Sequence, residues 1–229
     1  MYGDAKIRAA RASLEKAAES RLPGDGVRVS NRLKSRREMN IEATRSALLA
    51  VARKHFAREG YTRAQIGRIA ADARVTTGAI YHHFSNKRAL FQAVAEELES
   101  DILAEGMAAE DENPWLRFQS GFERLIDFCA APDVQRIIFI EAPQVMGPEA
   151  WRKIELRYAY GALHETLPKM IEAGIIKPYP VELIARTLLA LLRETSAEVA
   201  RTKGNPTVRA QIGQLARGVM SALAVHGQP

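Results

Sequence analysis

The sequence is poor in the features that mark secreted and membrane proteins. Its 229 residues include a single cysteine, Cys129, which excludes an internal disulfide framework. Charged residues interrupt the apolar stretches well before any is long enough to cross a bilayer. The N-terminal residues also lack the long apolar core of a signal peptide. We therefore expect a cytoplasmic protein with no membrane partner.

Motifs of the common enzyme classes are missing as well. The sequence has no glycine-rich phosphate loop, no HExxH or GxSxG motif and no pair of cysteines. The neighbouring His82 and His83 make a poor metal site, because adjacent positions on a helix point about 100° apart. The sequence therefore predicts neither an enzyme nor a bound metal or cofactor.

What the sequence does contain is helical patterning. Apolar residues recur at intervals of three and four, without a convincing alternating strand, repeat or low-complexity tract. With 47% hydrophobic residues, the chain suits one large or two small domains with an adequate core. We predict an all-α fold.

Residues 60–90, GYTRAQIGRIAADARVTTGAIYHHFSNKRAL, read as two short helices joined by a tight turn. Thr62 can cap the first helix, and Thr76 or Thr77 can cap the second. The second helix places small, hydroxyl and imidazole side chains opposite its apolar residues, a face that suits a DNA major groove. The pattern predicts a helix-turn-helix domain. The candidate DNA-binding residues are Thr62, Thr76, Thr77, Gly78, Ala79, Tyr81, His82, His83 and Lys87.

Each of these residues also has an ordinary structural interpretation. Tyr81 is explained as a half-buried aromatic, His82 and His83 as surface histidines, and the threonines as caps without a DNA role. Their combination in one short basic segment favours DNA binding.

The charge of the chain is divided unevenly. Residues 1–91 contain 19 Lys or Arg against 8 Asp or Glu, a net charge of +11, whereas residues 92–229 contain 14 against 19, a net charge of −5. The basic part is the part with the helix-turn-helix pattern, so DNA binding should weaken steeply as salt rises. A basic solvated surface without a DNA role has a similar composition.

Residues 41–95, and above all the stretch GAIYHHFSNKRALFQAV, resemble the N-terminal domain of the TetR family of transcriptional repressors. The resemblance implies that the second helix is a recognition helix. It implies base or groove contacts from Thr77, Gly78, Ala79 and His82, and phosphate contacts from Thr62, Tyr81, His83 and Lys87. Two residues depart from the family pattern: Arg74 stands where a turn glycine is common, and Gly67 where many members have a long polar residue. The operator of a relative therefore does not transfer to this chain.

Residues 1–38 form a basic N-terminal extension that we expect to be flexible. One hypothesis is an arm that follows the DNA backbone or enters a minor groove, formed by Arg28, Arg32, Lys34, Arg36 and Arg37. A solvated tail, or initiation near Met39, explains the same residues.

We place the helix-turn-helix domain at residues 39–85, a connecting helix at 86–108 and the C-terminal domain at 109–229. The connecting helix is expected to be capped by Ser85 or Asn86. Within the C-terminal domain, the predicted helix boundaries are an Asn113 cap with Pro114, an Asp133 cap, interruptions at Pro143 and Gly147, a start at Pro148 and a kink or end at Pro168.

The resemblance also implies that the C-terminal domain encloses a pocket for a small effector. Candidate ligand-binding residues are Phe118, Phe122, Phe139, Tyr158 and Leu163 as lining, with Glu141, Arg157 and His164 as polar anchors. The aromatic residues are also explained as plain core, Glu141 with Arg157 as a solvated pair, and His164 as a satisfied histidine. The lining suggests an apolar or aromatic effector.

Two apolar helices, at residues 181–202 and 207–226, end the chain, and the second is expected to begin with a cap at Asn205 and a first-turn proline at Pro206. The first is apolar on more than one side, so it must bury a second surface. The resemblance implies that the same helices of a second subunit cover that surface in a four-helix bundle, while a core helix in a monomer is the alternative. We predict a homodimeric repressor of a near-palindromic double-stranded DNA operator, released by an unknown small molecule. A DNA-binding dimer without a small-molecule effector is the alternative function.

Overall fold

The computed structural model describes residues 36–225, with side chains described from Glu42 onward. These residues are almost entirely helical, which confirms the all-α prediction, and their β-type pairing is limited to an isolated bridge between Ile176 and Ala224. The side chains of the hypothetical N-terminal arm lie outside the described residues. The elements are α1 (Arg36–Arg63), α2 (Ile66–Asp72), α3 (Thr77–His83), α4 (Lys87–Met107), α5 (Pro114–Cys129), α6 (Pro132–Val134), a π-helical segment (Gln135–Glu141), α7 (Ala142–Met146), α8 (Pro148–Arg157), α9 (Ala159–Glu172), α10 (Val181–Arg201) and α11 (Pro206–Ser221).

The chain forms two compact units, whose boundary lies between Glu97 and Leu98, inside α4. That boundary falls within the helix predicted to connect the two domains. Asn86 caps α4, because its Oδ1 accepts a hydrogen bond from the Ala89 amide at 2.9 Å.

The N-terminal unit is built on α1, which packs against α2, and α2 in turn packs against α3. Leu48, Ala52 and Phe56, spaced four apart, are buried on one side of α1. Gly60 then takes φ 81° and ψ 164°, which breaks the regular helix before Arg63.

The break at Gly60 corrects the expected role of Thr62. α2 begins at Ile66 after Gln65, which makes no side-chain capping bond, so Thr62 does not cap this helix. Thr62 instead lies in a single helical turn between the glycine and α2. In the turn before α3, Arg74 has a left-handed φ of 55°, so this non-glycine residue does occupy a position that favours glycine.

The centre of the C-terminal unit is the pair α5 and α10, which pack against each other, with α11 against both. The predicted caps are confirmed: Asn113 Oδ1 accepts hydrogen bonds from two amides at the start of α5, and Asn205 Oδ1 does so at the start of α11. Pro114 and Pro206 occupy the first helical turns, where no amide proton is required.

Residues 132–172 differ from the prediction at three places. The helix expected after an Asp133 cap begins at Pro132 without a side-chain cap and continues as the π-helical segment. Pro143 lies in the first turn of α7 and does not interrupt it, since no helical hydrogen bond there needs its missing amide proton. The long helix breaks at Tyr158, whereas Pro168 lies inside α9.

A close backbone contact accounts for the break at Tyr158. A Cβ on Gly161 would overlap the carbonyl oxygen of Leu156, so the chain turns there at a distance that only glycine permits. The end of α8 and the start of α9 are therefore set by a glycine, whereas the sequence analysis expected the helix to kink or end at Pro168.

The last two helices lie close to their predicted positions, at Val181–Arg201 and Pro206–Ser221. Neither of them, nor any other helix within residues 36–225, has the length and apolar character needed to cross a membrane.

Candidate nucleic-acid interface

Helix α3 has one buried side and one exposed side. Ile80 and Phe84 are buried, and they hold the helix against its unit. Thr77, Gly78 and His82 are exposed on the other side, together with Tyr81, which is 51% exposed. The exposed side therefore presents a hydroxyl, bare backbone, a phenol and an imidazole, all of which can hydrogen-bond to DNA.

The start of α3 is fixed by Thr76. Its Oγ1 accepts a hydrogen bond from the Ala79 amide at 3.1 Å, which confirms a predicted cap and gives Thr76 a structural task. Ala79 is half-buried. A Cβ added to Gly78 would have Thr76 Oγ1 as its nearest neighbour, at 3.8 Å, so the backbone at Gly78 is open to an approaching molecule.

His83 lies at the end of α3, partly covered by its neighbours. Burial lowers the pKa of its imidazole, and the charges of His82 and Arg45 lower that pKa further. Arg45 of α1 also stacks over the Phe84 ring, with its guanidinium carbon 4.5 Å from the ring centroid. His83 is thus better suited to donating one hydrogen bond as a neutral imidazole than to acting as a cation.

Lys87 is held in place at the start of α4. Its Nζ donates a hydrogen bond to the carbonyl oxygen of Thr62 at 3.1 Å and lies 4.8 Å from the centroid of the Tyr61 ring. Tyr61 packs edge-on against Phe91, with ring centroids 5.2 Å apart. The structure thus brings together Thr62 and Lys87, two predicted phosphate-binding residues that are 25 positions apart.

Thr62 and Lys87 lie in an open groove of about 830 Å³ that we call the basic groove. Its cationic residues outnumber its single carboxylate. The lining residues are Arg58, Glu59, Thr62, Arg63, Ala64, Gln65, Arg68 and Lys87. These arginines contribute to the net positive charge of the segment but were not among the candidate DNA-binding residues. A groove with four cations is a suitable surface for a phosphate backbone.

A buried histidine that the sequence analysis missed connects α1 to the end of α2. His55 is 3% exposed. Its Nε2 lies 2.7 Å from Asp72 Oδ2 and its Nδ1 lies 3.2 Å from Glu59 Oε1. A ring that carries both protons donates to both carboxylates. The spacing of four between His55 and Glu59 was a usable signal, but the partner at Asp72 was not visible in the sequence.

The predicted apolar lining of the effector pocket is placed in the C-terminal unit with varied exposure. Tyr158 and Phe122 are buried, whereas Phe118, Phe139 and Leu163 are half-buried. These positions are compatible with either of the two interpretations given above, core or pocket lining.

Two of the three polar anchors have partners that were not expected from the sequence. Glu141 Oε1 lies 3.2 Å from Arg136 Nε. Arg157 is exposed at the end of α8. His164 Nε2 lies 3.1 Å from Glu182 Oε2, which fits the interpretation of a satisfied histidine. The spacing of five between Arg136 and Glu141 brings them together because the intervening residues are π-helical.

Glu99 is a second buried ionisable residue that the sequence analysis missed. Burial raises the pKa of its carboxyl to about 8, and the negative charge of Glu155 raises it too. Cys129 is buried close by, and its pKa is raised to about 12, chiefly by burial and then by the charge of Glu99. A thiol this deeply buried is unreactive and forms part of the core.

Apolar side chains are exposed on the last two helices. Leu183 on α10 is 59% exposed and Leu215 on α11 is 61% exposed, with Val219 one turn further along α11. Leucines this exposed on packed helices mark a surface that favours contact with another protein.

Two family models match the chain. One, described as bacterial regulatory proteins of the tetR family, matches residues 48–94, and the other, described as a tetracyclin repressor-like C-terminal domain, matches residues 115–223. The first match includes both short helices and the exposed side of α3. The second includes α5 to α11.

Individual relatives agree with these matches. The Transposon Tn10 TetC protein of Escherichia coli is 29% identical over 178 residues, which cover 75% of this chain and 90% of that protein. The HTH-type transcriptional repressor SCO4008 of Streptomyces coelicolor is 31% identical over 137 residues, which cover 59% and 68%. The crystal structure of a TetR-family transcriptional regulator from Pectobacterium atrosepticum has a TM-score of 0.61 at 26% identity and covers 85% of this chain and all of that one. The chain therefore belongs to the TetR family of DNA-binding transcriptional regulators.

Proposed function

We propose that this repressor binds a near-palindromic operator as a homodimer and that a small molecule releases it. The observation that supports operator reading best is the exposed side of α3, where Thr77, Gly78, Tyr81 and His82 stand on a helix anchored by Ile80 and Phe84. A helix held from behind and polar in front can enter a major groove without losing its contacts to the rest of its unit. Because its target is genomic DNA, the protein acts in the cytoplasm.

The contacts divide into two kinds. Thr77, Gly78, Ala79 and His82 face the bases, while Thr62, Tyr81, His83 and Lys87 bind phosphates. Arg63 and Arg68 of the basic groove add phosphate contacts that reach beyond α3. Base contacts give sequence preference, whereas phosphate contacts give affinity that falls as salt rises.

A second copy of the chain occupies the exposed apolar surface of α10 and α11. Leu183, Leu215 and Val219 would be covered if the same helices of two subunits formed a four-helix bundle. A two-fold dimer presents two α3 helices, which fit half-sites about one DNA turn apart, roughly 34–36 Å. The two-fold symmetry of the dimer is what makes the operator near-palindromic.

The effector binds within the C-terminal unit and shifts the population of conformations away from the one that fits DNA. It can do so only to the extent that it binds the released conformation more tightly. Phe122 and Tyr158, which are buried, and Phe118, Phe139 and Leu163, which are half-buried, supply apolar contacts for such a ligand.

The operator-binding part is tested by footprinting the protein on the DNA upstream of its own gene at increasing salt. We expect a protected near-palindrome that persists at physiological salt. Lys87→Ala should weaken binding to every sequence, whereas His82→Ala should change the ranking of operator variants by about 1–3 kcal/mol at the contacted base pair. Binding that is diffuse at all salt concentrations, or equal effects of both variants on all sequences, would contradict the assignment.

The dimer is tested by light scattering on Leu215→Glu. A charge at the centre of an apolar interface should convert the dimer to a monomer and abolish the two-half-site footprint. The matched control is Leu156→Glu, since Leu156 is also an exposed leucine but lies on α8. Equal masses for both variants would place the interface elsewhere.

A further inference from the structure

The turn between α2 and α3 holds an arginine in a backbone conformation that favours glycine. Arg74 has φ 55°, a region in which the Cβ of an ordinary residue is crowded. Its amide donates a hydrogen bond to the Ala71 carbonyl oxygen at 3.0 Å, and the Val75 amide donates one to the Ala70 carbonyl oxygen at 3.0 Å. This pair of bonds is the Schellman motif that ends many helices, and it requires the left-handed conformation at Arg74.

Glycine occupies the equivalent position where the same motif ends α9. Gly174 has φ 68°, and its amide donates a hydrogen bond to the Ile171 carbonyl oxygen at 2.9 Å. The Ile175 amide donates the second bond, to the Met170 carbonyl oxygen, also at 2.9 Å. The motif therefore needs no side chain at this position, and glycine would form the turn before α3 with less strain than Arg74 does. Backbone strain of this kind is concentrated at functional sites, which makes the arginine side chain a candidate for a function.

The fold itself makes no use of the Arg74 charge. The Arg74 side chain is exposed and forms no hydrogen bond or ion pair with the residues that the structure describes. Two other arginines of the same unit do have partners: Arg63 Nε donates to the Glu59 carbonyl oxygen at 3.0 Å, and the Arg45 guanidinium stacks over the Phe84 ring. The guanidinium of Arg74 therefore offers its donors to an acceptor outside the chain.

Arg74 lies next to the end of α3 that would enter a major groove. Three residues of chain span at most about 10 Å, so the backbone of Arg74 lies within that distance of Thr77, the first residue of α3. A recognition helix contacts base edges with its N-terminal residues, and the phosphate backbone borders the groove beside them. A guanidinium binds phosphate oxygens through two parallel hydrogen bonds. Phosphate is thus the acceptor that the position and the chemistry of Arg74 both favour.

We propose that Arg74 binds a phosphate of the DNA backbone beside the N-terminal end of α3. This inference rests on the operator reading proposed above and adds a contact that a turn glycine cannot make. Arg74 precedes α3 and Lys87 follows it, so cations bind the backbone at both ends of the helix. Such contacts fix the position of the helix on the duplex but carry no sequence information.

The decisive change is Arg74→Gly, because it should stabilise the fold and weaken DNA binding at the same time. Glycine relieves the strain of the left-handed conformation, so Tm should rise by roughly 1–3 °C. Loss of the guanidinium should weaken binding roughly tenfold at low salt, by the same factor for every operator variant. In a dimer that loses one phosphate contact from each subunit, the slope of log Kd against log salt concentration should fall by about 2. Thermal unfolding of the full-length protein and fluorescence anisotropy on labelled duplexes at increasing salt measure these quantities.

Two further substitutions separate the charge of Arg74 from its backbone. Arg74→Lys keeps both the cation and the strained conformation, so it should keep the wild-type Tm and most of the affinity and salt slope. Arg74→Asn tolerates the left-handed conformation but is uncharged, so it should bind DNA as weakly as Arg74→Gly. A merely structural role of Arg74 predicts neither result.

Lys203 provides a matched control in the C-terminal unit. It has φ 51° and is exposed. Its amide and that of Gly204 form the same pair of hydrogen bonds at the end of α10, to the carbonyl oxygens of Ala200 and Val199. Lys203→Gly should raise Tm to a similar extent as Arg74→Gly but leave the affinity for DNA and the salt slope unchanged.

Binding is measured on the operator and on a duplex of unrelated sequence, because a phosphate contact contributes to both. The inference is overturned if Arg74→Gly keeps the wild-type affinity and salt slope on both duplexes, or if Arg74→Lys binds as weakly as Arg74→Gly. A change in the ranking of operator variants by Arg74→Gly would also overturn it, since a phosphate contact does not distinguish sequences. A wild type that prefers no operator would contradict the proposed operator reading, and the comparison on the unrelated duplex would still decide whether Arg74 binds phosphate.

Discussion

His55 in the N-terminal unit and Glu99 in the C-terminal unit are both ionisable, both almost fully buried and both carried on long helices. Their surroundings are opposite. His55 has a carboxylate oxygen within 3.2 Å of each ring nitrogen, whereas the charge that shifts the Glu99 pKa is that of another carboxylate.

The difference indicates different roles for the two buried groups. A buried polar group with all of its partners holds two elements in one arrangement, here α1 and the end of α2. Glu99 is buried and feels a like charge, which disfavours its carboxylate and lowers the stability of the folded protein at pH values where the carboxyl ionises. We therefore expect His55 to stabilise the N-terminal unit, and Glu99 to make the stability of the C-terminal unit depend on pH.

The largest effect is expected from His55→Ala. This change creates a cavity and removes the imidazole that lies within hydrogen-bond distance of both Glu59 and Asp72. It should lower the free energy of unfolding by roughly 2–4 kcal/mol. Urea unfolding measures the loss of stability. Operator affinity should also fall, because α2 loses the hydrogen bond that joins Asp72 to α1. His164→Ala, which removes a half-buried histidine from the C-terminal unit, is the control. An equal loss of stability in both variants would mean that His55 stabilises the protein no more than a half-buried histidine does.

Glu99→Gln should have the opposite sign. The carboxyl pKa rises from 4.5 in the unfolded chain to about 8 in the folded protein, so between these pH values the native state keeps a proton that the unfolded state has lost. Wild-type stability should therefore fall as pH rises through this range and level off above about pH 8. At pH 7 the variant should be more stable by roughly 2–3 kcal/mol, less than the full linkage because the amide must still be buried.

Unfolding curves at pH 5, 7 and 8.5 measure this difference. Glu172→Gln should follow the wild type at all three values, since Glu172 is exposed. A pH dependence that persists unchanged in Glu99→Gln would show that another group causes it, and the contrast between His55 and Glu99 would lose its basis.

The parts that sequence reasoning predicted depend on interactions between residues a few positions apart. The Thr76, Asn113 and Asn205 caps involve amides two or three residues further along, and the buried side of α3 follows from a spacing of four. Such interactions are determined by local geometry, so the chain sequence is sufficient to find them.

The parts that it missed depend on contacts between distant residues or on unusual backbone. His55 meets Asp72 across 17 positions, and Glu99 is influenced by Glu155 across 56. Glu141 pairs with Arg136 because a π-helix brings positions five apart together, whereas the sequence was read with the period of an α-helix.

The smallest effect is expected at Thr76 and Thr77, two neighbouring threonines at the start of α3 with different surroundings. Thr76 Oγ1 has a partner in the Ala79 amide, whereas Thr77 is exposed on the side of α3 that we assign to DNA. Thr76→Ala should lower the free energy of unfolding by about 1 kcal/mol, the usual value of a cap. It should weaken binding to all operator variants by the same factor. Thr77→Ala should leave unfolding within about 0.5 kcal/mol of the wild type but change the preference among operator variants. Chemical denaturation and competition binding on a set of single-base operator variants measure the two effects separately. If Thr77→Ala unfolds more easily and Thr76→Ala alters sequence preference, the assignment of stability to Thr76 and of DNA reading to Thr77 is wrong.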